Sequence, residues 1–455
     1  MKSVKIESDF YRLFLLVYQV LQSILLEFNC KNSVLFRFVG KRILSDGRFC
    51  HIQTIGGIVM SKKLFSIDLN KKMDEQAHPG HNRWHPDIPA AFSVEPGETF
   101  RMECLDWTDG QISNNDDPSD IKYVNLNRVH VLSGPVYVNG VEPGDLLVVD
   151  ILDVGAFPEH EWGFNGIFDK TNGGSFLVDH YPNAQKSIWD FHGIFASSRH
   201  VPGVEFVGVI HPGLIGVAPS QDMLVEWNRR ERALVDTDPN HVPPLANLPT
   251  EDAVVLGTLK GKNFDRVAKE GARTVPPREN GGNSDIKNLS KGSRIYFPVY
   301  VEGAKLSVGD LHFSQGDGEI TFCGGIEMPG WIDLRVNVIK EGMEKYQIKK
   351  NPAFNPSPVL PNYSDYIVFE GISVNEFSGK QTYLDANTAY RNACLNAIEF
   401  LKTRGFTGEQ AYMLLGSAPV QGTVAGIVDV PNACCTIAIP REIFKPGVIP
   451  EKDAF

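Results

Sequence analysis

The sequence predicts a β-dominated α+β fold: a sandwich or barrel-like β core followed by a C-terminal α+β portion. Three observations predict it. Short apolar segments separated by Pro-Gly and Asn-Gly turns recur from about Ser93 onward. Later segments alternate apolar and polar residues with period two. The clearest helical periodicity, by contrast, lies in the last hundred residues.

Taken in order, Val94-Glu-Pro-Gly97, Tyr137-Val-Asn-Gly140 and Val141-Glu-Pro-Gly-Asp145 read as turns, and the apolar run at 146–151 reads as a buried strand. Residues 229–290 are charged and rich in proline, with Pro239, Pro243, Pro244, Pro249, Pro276 and Pro277, and read as a long excursion rather than a linker. Strands are expected at 294–301, at 320–326 and at 331–339, the last with clean alternation, and a second break at 351–362. Tyr390, Ala393, Cys394, Ala397, Ile398 and Leu401 form one helical stripe, with Asp385 as its N-cap and Gly405 as its stop. Thr407 and Gln410 have capping-box spacing and open a second, shorter helix.

Residues 1–59 read differently. Leu13, Leu16, Val17, Val20, Leu21 and Ile24 recur at helical spacing, while Arg12, Gln19, Gln22 and Glu27 interrupt the apolar run. That pattern argues for an amphipathic helix rather than a membrane span of about 20 apolar residues. Met60 then opens a segment that looks like a protein start in its own right. The expected organisation is a dispensable extension at 1–59, a β-rich core at 60–340, and a portion at 341–455 that completes the same catalytic unit.

The chain has 455 residues, 42% hydrophobic and 22% charged, which is ordinary for a folded protein. Its formal charge of −11 repels phosphate backbones and anionic surfaces, so neither nucleic acid nor a membrane is an expected partner of the body. Seven scattered cysteines build no disulfide framework and no structural zinc pattern, and a reducing, cytoplasmic setting is expected. There is no glycine-rich phosphate cradle, no dinucleotide fingerprint and no Gly-x-Ser-x-Gly elbow.

Chemistry has one local home at 308–319, where His312, Gln315, Asp317 and Glu319 lie beside two glycines. An imidazole with carboxylates is the ligand set of zinc and similar divalent ions, whose bound water becomes a nucleophile. The same residues also read as a polar hairpin turn. Glu327 would sit at the end of the strand at 320–326, near the same pocket or as a solvated strand end. A second polar group comprises His81, Trp84, His85, Asp106 and Gln111. Pro86 disfavours a helical two-histidine site there, Trp84 reads equally as a core anchor, and Asp106 as a turn acid. Cys104 and Cys323 fall in apparent strands, where inert buried thiols are the common outcome.

From Met60 onward the chain resembles the acetamidase/formamidase family, and the fungal formamidases in particular. The matching stretches are HNRWHPDIP from His81, NRVHVLSGPVYVNGVEPGDLLVVDI from Asn127, HPGLIGVAPS from His211, ENGGNSDIKNLSKGS from Glu279 and HFSQGDGEITFCGGIEMPG from His312. The resemblance implies a homo-oligomeric hydrolase that converts a small neutral amide, formamide or else acetamide, to the carboxylate and ammonia. It also implies relatives that use a divalent metal, zinc in the first instance, and relatives that cleave cyclic amides. The expected roles are a metal held by His312, Asp106 and Asp317, proton transfer and catalysis by Glu319, Glu327, Asp317 and Gln315, and substrate contacts from Gln111, Trp84 and His81. Small-amide selectivity is expected to come from a compact hole. The reading from another class is a non-catalytic sandwich that binds a small polar ligand.

Overall fold

A computed structural model describes residues 40–43, 49–52, 61–174, 176–358, 361 and 363–450. Strands outweigh helices, 32% against 17%, which makes the chain β-dominated α+β. Residues from 61 onward form one compact unit. The short strands Gly40–Ile43 and Phe49–Ile52 pair with each other as an antiparallel hairpin in the segment before it. The amphipathic helix expected at 10–28 lies outside the described residues. Among those described, no helix is long and apolar enough to cross a membrane.

Two sheets make the core. The larger has ten strands, and its central neighbours run Trp162–Ile167, Phe322–Met328, Leu306–His312, His211–Gly216 and Gly281–Asn283. The smaller has six strands, ordered Ala353–Asn355, Arg294–Pro298, Leu146–Ala156, Gly330–Ile339, Thr99–Cys104 and Lys62–Phe65. One buried apolar cluster takes Val136, Leu306, Val308 and Leu311 from the first sheet and Phe100, Leu147, Val149 and Leu334 from the second. The inner faces therefore pack on each other as a sandwich, with period-two strands supplying one apolar face each. Gly330–Ile339 shows the alternation the sequence predicts, buried and half-buried in turn.

The C-terminal portion is a three-stranded sheet, Tyr366–Ile372, Cys434–Pro440 and Gln421–Gly426, with the helix Ala386–Lys402 packed against it. Asp385 caps that helix by accepting from the Asn387 N–H. Thr407 and Gln410 form the expected reciprocal capping box of the next helix, Gly408–Ser417. Gly405 lies between the two at φ +95°, in a region that glycine enters without steric cost. Residues 229–290 contain more order than their composition suggests. They take in the end of the helix Gln221–Val235 and all of Gly261–Glu270, because helices can form between prolines wherever an apolar face finds a core.

Charge also ties the smaller sheet together. Asp150 lies directly opposite Arg294 on one neighbouring strand and Arg335 on the other. It accepts two hydrogen bonds from each guanidinium, at 2.5 to 3.0 Å. Burial pushes its carboxyl up, but the bonds from Arg294 and then Arg335 outweigh burial and hold it below the ordinary 3.8. A depressed carboxylate stabilises the fold above its unfolded pKa and loses that contribution as pH falls through the folded value. Asp150→Asn is therefore expected to cost about 1–2 kcal/mol in neutral urea denaturation. The gap to the parent should narrow only below pH 3.8.

Candidate active site

The strand Leu306–His312 lies between His211–Gly216 and Phe322–Met328, and its pairing register decides what faces its last residue. His312 stands opposite His211 on one side and Glu327 on the other. Asp310, two residues back on the same strand, shares its face. His312 Nε2 lies 2.9 Å from Glu327 Oε2 and 3.3 Å from Asp310 Oδ1. On the other side of the ring, Nδ1 is 2.9 Å from Gln315 Oε1. Gln315 donates from Nε2 to the Asp285 carbonyl, so its oxygen is the free acceptor and His312 Nδ1 carries a proton toward it. The same oxygen lies 2.9 Å from His211 Nε2.

Asp285 and Glu319 complete the group. Ligand-capable atoms of Asp285, Asp310 and His312 all lie within 4.8 Å of one another, as do those of His312, Glu319 and Glu327. The backbone is shaped to bring them there: Asp285, Asp310 and Glu319 have φ of 49°, 55° and 45°, a left-handed region unfavourable for a residue with a side chain. Glycines clear the remaining space. A Cβ on Gly213 would lie 2.7 Å from His312 Cε1 and 2.8 Å from carboxylate oxygens of both Asp285 and Asp310. One on Gly325 would also lie 2.7 Å from the His312 ring.

Burial sets the protonation pattern. It pushes the carboxyls of Glu327, Asp285 and Glu319 up, with Asp310 adding to the effect on Asp285 and Glu327. Burial raises Asp310 too, but the charge of His312 outweighs that and holds Asp310 low. Burial opposes charge on His312, and Glu327 and Asp310 overcome it, so the imidazole is held well above its ordinary 6.5. Asp285 Oδ1 is buried without a hydrogen-bond partner, whereas Glu327 Oε2 faces the His312 ring. Crowded carboxylates with one orphaned oxygen, an imidazole and a cradle that a single methyl would fill suit a divalent cation.

The group opens onto a cavity of about 650 Å³. Asp310, Glu319, Glu327 and His130 line one end, and Trp107, Phe168, Val129, Val275, Pro244 and Leu245 are among the residues of the other walls. His130 is pushed down to about 4 by burial, and its Nδ1 has no partner. The space is no compact hole: it exceeds the roughly 30 Å³ of one water more than tenfold. Small-amide selectivity therefore cannot follow from its volume, as the sequence reading expected.

Of the residues singled out in the sequence, His312, Gln315, Glu319 and Glu327 come together. Asp317 does not: its Oδ1 pairs with Lys287 Nζ at 2.8 Å and its Oδ2 accepts from Gly422 N. The bend through Gly316 and Gly318 turns it toward the C-terminal sheet, away from the neighbouring Glu319. Asp106 is likewise a turn acid, bonded to Thr108 and Gly110. Gln111 closes a loop, binding Thr108 O and Asn125 N through its amide. Trp84 is core, packed with Leu132, Leu214 and Trp227. His81 is held between Arg83 O and Ser307 Oγ, both at 2.7 Å. Cys323 is buried and its thiol pushed well up, which keeps it protonated and inert.

Asp310, Asp285, His211 and His130 were missed. Asp310 carried a usable signal, since alternation on a strand ending at His312 places it on the same face. The other three arrive only through pairing and loops distant in sequence. Gly213→Ala is expected to destabilise the fold by about 1–3 kcal/mol through overpacking, read as a lower urea midpoint at unchanged slope.

The acetamidase/formamidase family model matches residues 66–446. The chain is 60% identical over 392 residues to a formamidase of Methylophilus methylotrophus, covering 86% of this chain and 96% of that protein. It is 59% identical over 373 residues to an acetamidase of Mycolicibacterium smegmatis, covering 80% and 92%. The structure matches that of a gamma lactamase from Delftia acidovorans with a TM-score of 0.84 at 60% identity, over 86% of this chain and 96% of that one. With its fold, its buried acid–imidazole group and these matches in accord, the chain belongs to the acetamidase/formamidase family.

Proposed function

We propose that this protein hydrolyses formamide to formate and ammonia, with acetamide as the alternative substrate. The observation that carries the reading is a buried group of carboxylates around one imidazole, opening on a chamber with apolar walls, in a chain 60% identical to a formamidase and 59% to an acetamidase.

The residues divide the work by position. Glu319 and Glu327 face the chamber, and burial makes both reluctant to ionise. A carboxyl of that kind takes a proton from attacking water and gives one to a leaving nitrogen near neutral pH. Water adds to the amide carbon, one carboxylate oxygen receives its proton, and the partner carboxyl protonates the nitrogen as the C–N bond breaks. His130 is neutral and lines the chamber, with its Nδ1 buried and unpartnered. Apolar walls keep bulk water from competing for these bonds.

Asp285, Asp310 and His312 would hold a divalent cation, zinc in the first instance, with Gln315 fixing the His312 ring. Such a cation supplies Lewis-acid polarisation of a carbonyl and lowers the pKa of bound water. The 341–455 portion is part of the same unit in this reading. The Gly316 N–H donates to Gly416 O, and Tyr390 Oη donates to Asp317 O, so the C-terminal helices hold the loop that carries Glu319. Residues 1–59 are dispensable, and a chain starting at residue 60 should keep its turnover. A cytoplasmic homo-oligomer is favoured by the free buried cysteines and by exposed Val368, Val424 and Val428 on and beside the C-terminal sheet. Sedimentation measures the oligomeric state.

Ammonia release from formamide, acetamide and propionamide, with and without a chelator, is the direct test. Turnover should fall with chelation. Glu327→Gln should lower kcat by about 10²–10⁴, and His312→Ala should abolish turnover in a folded protein. No ammonia from any of the amides in zinc-supplemented buffer would leave the non-catalytic binding protein as the reading.

A further inference from the structure

The chamber has two kinds of wall. One is the sandwich itself: Trp107 lies against His130 at 4.9 Å and against Phe168 at 6.0 Å, and all three are buried. The other comes from the proline-rich excursion that the sequence set apart. There Pro243, Pro244 and Leu245 reach the chamber, and Pro243 packs so closely on Gly174 that a Cβ there would lie 2.7 Å from its Cγ.

This strap is lightly tied. Among the described residues, no backbone N–H from 242 to 254 donates to a backbone carbonyl. Its side-chain ties gather at its two ends: His241 Nδ1 to Pro243 O at the first, and Arg83 Nη2 to the Thr250 and Asp252 carbonyls with Asn82 Nδ2 to Ala253 O at the second. A segment of that kind changes shape or sequence at little cost to the sandwich. The carboxylates, by contrast, stand on or beside paired strands of the sheet.

We propose that the strap is the specificity-determining wall of the chamber, and that the enzyme also takes amides with a compact apolar acyl group, rings included. This rests on the amidase reading above and deepens it by naming the substrate class. About 650 Å³ lies inside the range of roughly 300–1,000 Å³ that ligand sites of drug-sized molecules occupy. Formamide bound at the carboxylate end leaves the space between Phe168 and Leu245 unfilled. An acyl group extending there buries its methylenes against Trp107, Phe168, Val129 and Leu245, at about fourfold in kcat/KM for each methylene fully buried.

The experiment compares kcat/KM for formamide, acetamide, butyramide and cyclohexanecarboxamide in the parent, Leu245→Ala and Leu245→Trp proteins. The parent should hydrolyse cyclohexanecarboxamide or be competitively inhibited by it. Leu245→Trp, which fills the outer chamber, should lower the cyclohexanecarboxamide-to-formamide ratio, or the strength of inhibition, at least tenfold. Leu245→Ala should shift the same ratio with acyl size by several fold in a folded protein. A parent that turns over formamide while the ring amide neither reacts nor inhibits overturns the proposal, as does a ratio unmoved by both substitutions. Failure of every amide to react or bind would instead sink the amidase reading itself. Hydrolysis of the larger amides without formamide would leave the proposal standing and correct only the preferred substrate.

Discussion

Carboxylates crowded around one imidazole inside a protein form an expensive arrangement, and much of the sheet geometry around it serves to hold it. Burial disfavours every charge in the group and pushes Glu327, Asp285 and Glu319 up, while Glu327 and then Asp310 hold His312 high and His312 holds Asp310 low. Such a balance survives only if the groups cannot move apart. The register of three strands provides that, because sliding Leu306–His312 by one residue would turn His312 and Asp310 to the opposite face. The left-handed backbones of Asp285, Asp310 and Glu319 carry further local cost that the surrounding sandwich sustains.

That view explains which features the sequence made legible. Local periodicity sufficed for the strand Gly330–Ile339, for the N-cap at Asp385 and for the capping box at Thr407, since each depends on residues a few positions apart. The site was legible only along its own strand and the next one: His312, Gln315, Glu319 and Glu327 lie within a stretch of sixteen positions. His211 enters because its strand pairs with Leu306–His312 across about a hundred residues of chain, and Asp285 because the strand beyond that, Gly281–Asn283, ends next to it. Neither position carries a local pattern that distinguishes it from an ordinary polar residue.

Asp317 and Asp106 show the converse error. Both are acidic residues near turns, the chemistry a ligand needs, and both spend their oxygens on neighbours: Lys287 and Gly422 for one, Thr108 and Gly110 for the other. A carboxylate whose lone pairs are satisfied by fixed donors is a poor ligand. The orphaned oxygen on Asp285 is a better guide than proximity in sequence. Satisfaction is a three-dimensional property, and a turn that rotates one residue decides it. Gly316 illustrates how tightly that turn is set, since a Cβ there would lie 2.0 Å from Leu415 O.

On the proposed reading, chemistry and selectivity rest on parts of the chain with different physical constraints. Reacting groups stand on or beside paired strands, where a displacement of a fraction of an ångström would unbalance buried charges. The outer chamber is bounded partly by a strap whose backbone makes few bonds, so its side chains can change without disturbing that balance. If the strap sets selectivity as proposed, chains near 60% identity to this one can bear the names of a formamidase, an acetamidase and a gamma lactamase while one acid–imidazole floor stays in place beneath an exchangeable wall.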